Sequence, residues 1–472
     1  MLASNHSNRL QYYGLIALLL INTIEGVLRY VLLGISLEKL LYAKDAVALG
    51  LVFWSLWDGF HRRSYNKPLI AFLVSIITWG VVSFFYVHNA LQTAFAIKLL
   101  LPIMVGMVSG PALFNNGGAA CQVLMRLWLV SVTGLLFSAA ITVPWAGLSY
   151  EVAGIAIEGT RAWTIDSVER LAGFGRASTE VSCQILFFAI FVVCYGRKRW
   201  LSVLVWVASG PLIVLATTRS VVLAYAILSV FFCANYWVPS LQLLWKQSLT
   251  MMMALMIALP LIPEKAFGIL ASLKLGGVAK MDSLLIRVEE TWPEALNLLK
   301  SDGSFIIGRG IGGIAVAQKL FEPDAYNPGD NLFIFLLLVF GSFAFLILAA
   351  FLARLLMVNL SSGNTELFTF STGLAIISIG TLLNGIENLC EGVFLGLALS
   401  AIPMSRKRRL PRSTGRTLII PKSRGPCRTA FFKKPNPESY HAGIQRHHPH
   451  ARSAGISTTC GRFSLGPDHP PT

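Results

Sequence analysis

Six arginines stand beside or between apolar stretches of this chain: Arg161, Arg170, Arg176, Arg219, Arg287 and Arg309. A guanidinium is a planar, permanently charged fork that grips phosphate or carboxylate through paired hydrogen bonds. Several gathered on one membrane face suit an anionic, lipid-linked ligand. Arg219 is the sharpest case. It lies in the turn Thr217-Thr218-Arg219-Ser220, between two apolar segments and too short to carry its guanidinium far into water. Two readings are open: a fork for a diphosphate, or an interfacial anchor whose charge snorkels. Arg287 reads either as part of the same site or as a helix-surface partner of Glu290. Arg176 either joins the site or marks the end of a span.

Other groups could complete such chemistry. Asp330 directly precedes a long apolar run. It reads as a helix N-cap, or as a general base that takes the proton of an acceptor hydroxyl. The run Gly308-Arg309-Gly310-Ile311-Gly312-Gly313 reads either as tightly turned backbone or as a set of N–H groups contacting phosphate. It is not a dinucleotide fingerprint, since no βαβ pattern surrounds it. Glu25 and Arg29, four residues apart in an apolar segment, read as an internal ion pair. Lys98 and Glu391 are further charges inside apolar segments. The sequence contains no nucleophile elbow, HExxH or Walker loop. The seven cysteines form no CxxC and point to neither a metal site nor a disulfide framework.

The elements that must position these residues are helices in a membrane. The chain has 472 residues, 55% of them hydrophobic and 13% charged. That composition, with a mean hydropathy of +0.64, excludes an ordinary soluble domain. Apolar runs long enough to cross a bilayer recur, and about twelve spans are expected. They fall near 12–35, 42–60, 68–86, 92–114, 121–144, 180–196, 200–217, 219–238, 247–263, 331–357, 367–386 and 389–404. The first run carries charges and has no small-residue cleavage site behind it, so it reads as a span and not a signal peptide. Lys and Arg collect in alternate connections (Arg62, Arg63, Lys67; Arg197, Lys198, Arg199; Lys246), which puts both termini inside and two large loops, about 145–179 and 264–330, outside.

Within the second loop a helix is expected over Asp282 to Glu290. Another should start at Thr291-Trp292-Pro293-Glu294, with Thr291 as cap, and run to about Lys300. Ser178 or Thr179 is expected to cap the sixth span. Of the net charge of +16, the 14 Lys/Arg and two acids of residues 405–472 supply +12, leaving +4 for residues 1–404. This basic tail has too little apolar periodicity to bury a core and reads as disordered, near anionic lipid or without function.

Four pieces of the sequence occur in an order that resembles the O-antigen ligase and polymerase superfamily of bacterial envelope glycan enzymes. They are Arg170-x-x-Gly173-x-x-Arg176 entering a span, the turn Thr218-Arg219-Ser220, Arg287 with Trp292 followed by Gly308-x-Gly310-x-Gly312, and Asp330-Asn331 leading through an apolar run to Gly341. The resemblance covers roughly 170–400. It implies an all-α, polytopic fold like that of the GT-C glycosyltransferases, in a bacterial inner membrane with its site facing the periplasm. The implied reaction is an inverting, metal-independent transfer of glycan from undecaprenyl diphosphate, with no cofactor and no nucleic-acid partner. Arg219 and Arg287 would hold the diphosphate, with Asp330 completing the catalytic set, while Arg170, Arg176, Arg309 and Asn331 would bind substrate. The expected partners are the lipid-linked donor, an acceptor glycan (a lipid-linked chain or lipid A-core), membrane lipid and a chain-length regulator. Where the family has a His-Asn pair this chain has Asp330-Asn331, which favours a polymerase of repeat units over a ligase. A transporter of a lipid-linked sugar is the rival from another class; it calls for two matching halves, which the sequence lacks.

Overall fold

The computed structural model describes residues 2–63, 65–152, 155–160, 164–165, 168–261 and 286–401, all within one compact unit. Arg161, the start of the expected helix at 282–285 and the whole basic tail lie outside the described residues.

The architecture is helical. In chain order the α-helices are α1 (Leu2–Thr23), α2 (Glu25–Gly34), α3 (Ala43–His61), α4 (Lys67–Tyr86), α5 (Ala90–Leu99), α6 (Leu101–Asn115), α7 (Gly117–Ala140), α8 (Ser178–Tyr195), α9 (Arg199–Leu215) and α10 (Arg219–Trp237). They continue with α11 (Gln242–Ile257), α12 (Trp292–Asp302), α13 (Ala315–Phe321), α14 (Leu332–Phe340), α15 (Phe343–Met357), α16 (Asn364–Gly380) and α17 (Leu389–Ala401). The first large loop also holds two small antiparallel hairpins that the hydropathy pattern did not announce. β1 (Ser149–Val152) pairs with β2 (Ile155–Glu158), Tyr150 opposite Ile157, and β3 (Thr164–Ile165) pairs with β4 (Val168–Glu169).

Among the described residues six helices are long and apolar enough to cross a membrane, or seven if α1 and α2, bent by 75°, count as one span. Every stretch expected to span is helical, but several are short or broken. The stretches near 200–217, 247–263, 367–386 and 389–404 fold as helices of 17, 16, 17 and 13 residues. The stretch 331–357 is cut at Gly341 into pieces of 9 and 15 residues. The cut has a cause that hydropathy does not carry. Gly341 has φ +59°, and a Cβ there would collide with the backbone of Gly308 and Ile306.

The centre of the bundle is α6, α8, α16 and α17, buried along nearly their whole lengths. Helices approach closely there because small residues remove bulk at the crossing. A Cβ on Gly106 of α6 would meet the Val393 carbonyl of α17, and one on Gly396 would meet that of Ile103. Around this centre, α3, α4, α9, α10 and α15 turn large apolar side chains outward, including Phe53, Ile77, Phe85, Val207, Trp237 and Leu346. Such a surface fits a hydrocarbon solvent rather than water.

Candidate functional site

The loop ends that carry the arginines converge. Thr217 adopts φ +56° and Thr218 sits at the N-cap position of α10, so the chain reverses within three residues and α10 begins at Arg219. The turn is pinned to α8: the Ser182 hydroxyl donates to the Ser178 carbonyl at 2.8 Å, and its oxygen lies within hydrogen-bond distance, 3.1 Å, of Thr218 Oγ1. Thr218 and Ser220 are buried while Arg219 is exposed. The turn therefore presents the guanidinium and hides its neighbours.

Arg287 opens a single π-helical turn, Arg287–Thr291, which runs directly into α12. Because that turn is already helical, Thr291 has helical dihedrals and makes no side-chain cap, against the expectation. Pro293 does stand in the first turn of α12. The Nε–H of Arg287 donates to Oδ2 of Asp330 at 3.2 Å, and both side chains remain partly exposed. Arg170, half-buried in the loop before α8, has its proton affinity lowered below the ordinary arginine range. Burial is the main cause, and repulsion from Arg219 and Arg287 follows. Arg170, Arg219, Arg287 and Asp330, far apart in sequence, thus form one neighbourhood at one end of the bundle. Guanidinium groups that influence one another electrostatically mark this as a positively charged neighbourhood, the kind of field that attracts a multiply charged anion.

Two site residues expected from sequence have structural work instead. Asn331, fully buried, is the N-cap of α14. Its Oδ1 accepts from the N–H groups of Phe333 (2.8 Å) and Ile334 (3.1 Å), and its Nδ2 donates to the Thr381 carbonyl at 2.9 Å. Asp330 therefore does not cap α14, which leaves its carboxylate to Arg287. Arg309 is 4% exposed and tied into the fold: Nη1 donates to the Gly313 carbonyl and Nη2 to Glu322 Oε2, each at 2.7 Å. Glu322 Oε1 in turn accepts from Gln92 Nε2, which also reaches the Gly312 carbonyl.

The glycine run is a packing device. Gly308, Gly310 and Gly312 have φ +81°, +89° and +92°, a conformation that only glycine adopts cheaply. A Cβ at 310 would meet the Ser83 backbone nitrogen at 2.6 Å. The N–H groups of Gly308, Arg309, Gly310 and Gly313 are spent on the Ser304, Leu338, Val339 and Gly310 carbonyls, so they are not offered to a phosphate. The carbonyls of Ile307 and Ile311 accept from Trp79 Nε1 and Ser83 Oγ of α4. The run thus docks the second large loop onto α4, α5 and the break at Gly341.

Arg176 is placed differently from the other three arginines: its charged neighbours are the carboxylates of Glu25 and Glu180. Ser178 and Thr179 do not cap α8. Ala177 occupies the N-cap position without a side-chain bond, and Ser178 is already helical. Glu391 is 1% exposed, and its carboxylate lies against Gly385, where a Cβ would collide with it. Lys98 pairs with Asp45 at 2.7 Å. Glu322, Gln92 and Lys44 escaped the sequence reading, because their partners are distant in the chain and no spacing marks them. Among the described residues no group of three or more His, Cys, Asp or Glu could hold a metal ion.

Compared with protein-family models, with curated proteins and with solved structures, the chain has no match.

Proposed function

We propose that this protein is a membrane glycosyltransferase that polymerises oligosaccharide repeat units carried on undecaprenyl diphosphate. On this reading it works at the periplasmic face of a bacterial inner membrane, with twelve membrane segments of which several are short or broken. The observation that carries the reading is the grouping of Arg170 with Arg219 and Arg287, the last of which donates to Asp330, from four separated parts of the chain.

The chemistry suits those groups. An acceptor sugar hydroxyl attacks the anomeric carbon of the donor from the face opposite the diphosphate. The carbon–oxygen bond to the diphosphate breaks with inversion, and a new glycosidic bond forms. The diphosphate is already a good leaving group, so the protein's main tasks are to neutralise its growing charge and align the acceptor. The three guanidinium groups do the first. Asp330 accepts the hydroxyl proton and, through Arg287, ties that proton transfer to the anion site. A carboxylate stands where the resembled family has histidine, and this favours chain polymerisation over ligation to lipid A-core.

The test is to incubate the purified chain with undecaprenyl-diphosphate-linked repeat units and follow product length. Longer lipid-linked chains support the proposal. Transfer only to lipid A-core makes the protein a ligase, and movement across vesicles without new bonds makes it a transporter; either result overturns it.

A further inference from the structure

Arg170 lies in the loop that ends at Ala177, and that loop is fixed at two points. On one side the Trp145 indole N–H donates to the Gly173 carbonyl at 2.8 Å, and Gly173, with φ +57°, fits tightly against the backbone of α7 at Leu135. On the other side the loop meets the break between α1 and α2. The Gly26 N–H donates to the Phe174 carbonyl at 2.9 Å, and a Cβ on Gly26 would collide with the Gly175 carbonyl.

That break carries a buried ionic knot. Glu25 is 2% exposed, and its Oε1 accepts from Arg29 Nε (2.9 Å), Arg29 Nη2 (2.5 Å) and Lys44 Nζ (2.7 Å). Arg176, at the end of the loop, and Glu180, in the first turn of α8, complete its electrostatic surroundings. A buried ion cluster of this kind is costly to assemble, and registering one element against another is its best-attested use.

We infer that Glu25 is a positioning residue for the arginine cluster: locked by Arg29 and Lys44, it holds the loop through Gly26 and Arg176, and so keeps Arg170 beside Arg219 and Arg287. The inference rests on the reading of that cluster as a diphosphate site. It gives the bend between α1 and α2 a role, since that bend is what brings Gly26 and the carboxylate to the loop.

The experiment uses the full chain in lipid nanodiscs, with farnesyl diphosphate as probe. Glu25→Gln removes the carboxylate that Arg29 and Lys44 share, so the paired variant Glu25→Gln/Lys44→Met keeps the charge balanced, and Gly26→Ala disturbs the docking without touching charge. Each should weaken farnesyl diphosphate binding by about ten-fold, the share of one charge-assisted contact, and add nothing further in an Arg170→Ala background. Amide exchange over 171–177 should rise in both, with 182–192 unchanged. Unchanged exchange in the folded variants overturns the inference, and so do losses that add to that of Arg170→Ala. If the wild-type chain binds no farnesyl diphosphate, the proposed function falls, and the exchange result alone then decides the role of Glu25.

Discussion

Asp330 and Arg287 form a pair that a diphosphate must either share or break, and Asp330→Asn separates the two cases. Nε and Oδ2 lie 3.2 Å apart with side chains 23% and 27% exposed. At an effective dielectric constant of about 20 the bare Coulomb term is about 5 kcal/mol, but solvent screening at such exposure leaves about 1 kcal/mol. Removing the carboxylate charge therefore takes away one anion that competes for the guanidinium, at little cost to folding. Binding of farnesyl diphosphate should tighten by about five-fold, the equivalent of that 1 kcal/mol. Transfer should meanwhile slow by about 10²- to 10⁴-fold, because the group that accepts the hydroxyl proton is gone. Calorimetric titration gives the first number and product length against time the second. The two effects have opposite signs, which no general loss of structure would produce. Weaker binding by Asp330→Asn would mean that the carboxylate orients Arg287 instead of competing for it, and an unchanged transfer rate would remove Asp330 from the chemistry.

Three further outcomes follow from the loop architecture, each checked by thermal unfolding in detergent. Arg309→Ala leaves the partly buried Glu322 carboxylate with Gln92 but without its guanidinium partner, frees the Gly313 carbonyl, and should destabilise by about 1–3 kcal/mol, whatever its effect on transfer. Gly310→Ala forces a side chain into a left-handed conformation and against Ser83, at a cost of about 3 kcal/mol from strain and overpacking together. Asn331→Ala removes the cap of α14 and orphans the Thr381 carbonyl, which should cost about 2–4 kcal/mol.

Hydropathy marked stretches that are helical in the bundle, because apolar runs of bilayer length leave the backbone little choice but a helix, whereas α13 in the second large loop went unmarked. It did not locate the breaks, which are set by tertiary contact. The cut at Gly341 exists because Gly308 packs on it, and the bend after Thr23 exists where Gly26 meets Gly175. The two hairpins before α8 were illegible for a similar reason, since a four-residue strand carries almost no period of its own. At the candidate site, residue type was informative where the side chain reaches solvent and misleading where it does not. Arg219 was legible as a charge on a short turn, and Arg287 as one on a loop helix. Arg309 looked the same in sequence, yet its partners Glu322 and Gln92 turn it inward. Asp330 and Asn331 are adjacent, and sequence gave no means of telling that the amide caps while the carboxylate meets Arg287.

On the proposed reading the guanidinium groups recognise a diphosphate headgroup and not merely a lipid tail. The most direct measurement compares the affinities of the purified chain for farnesyl diphosphate and farnesyl monophosphate, in wild type and in Arg219→Ala. Wild type should prefer the diphosphate by ten-fold or more, about 1.4 kcal/mol, and the variant should lose most of that preference while keeping its affinity for the monophosphate. Equal affinities in wild type, or a preference that survives Arg219→Ala intact, would contradict the account.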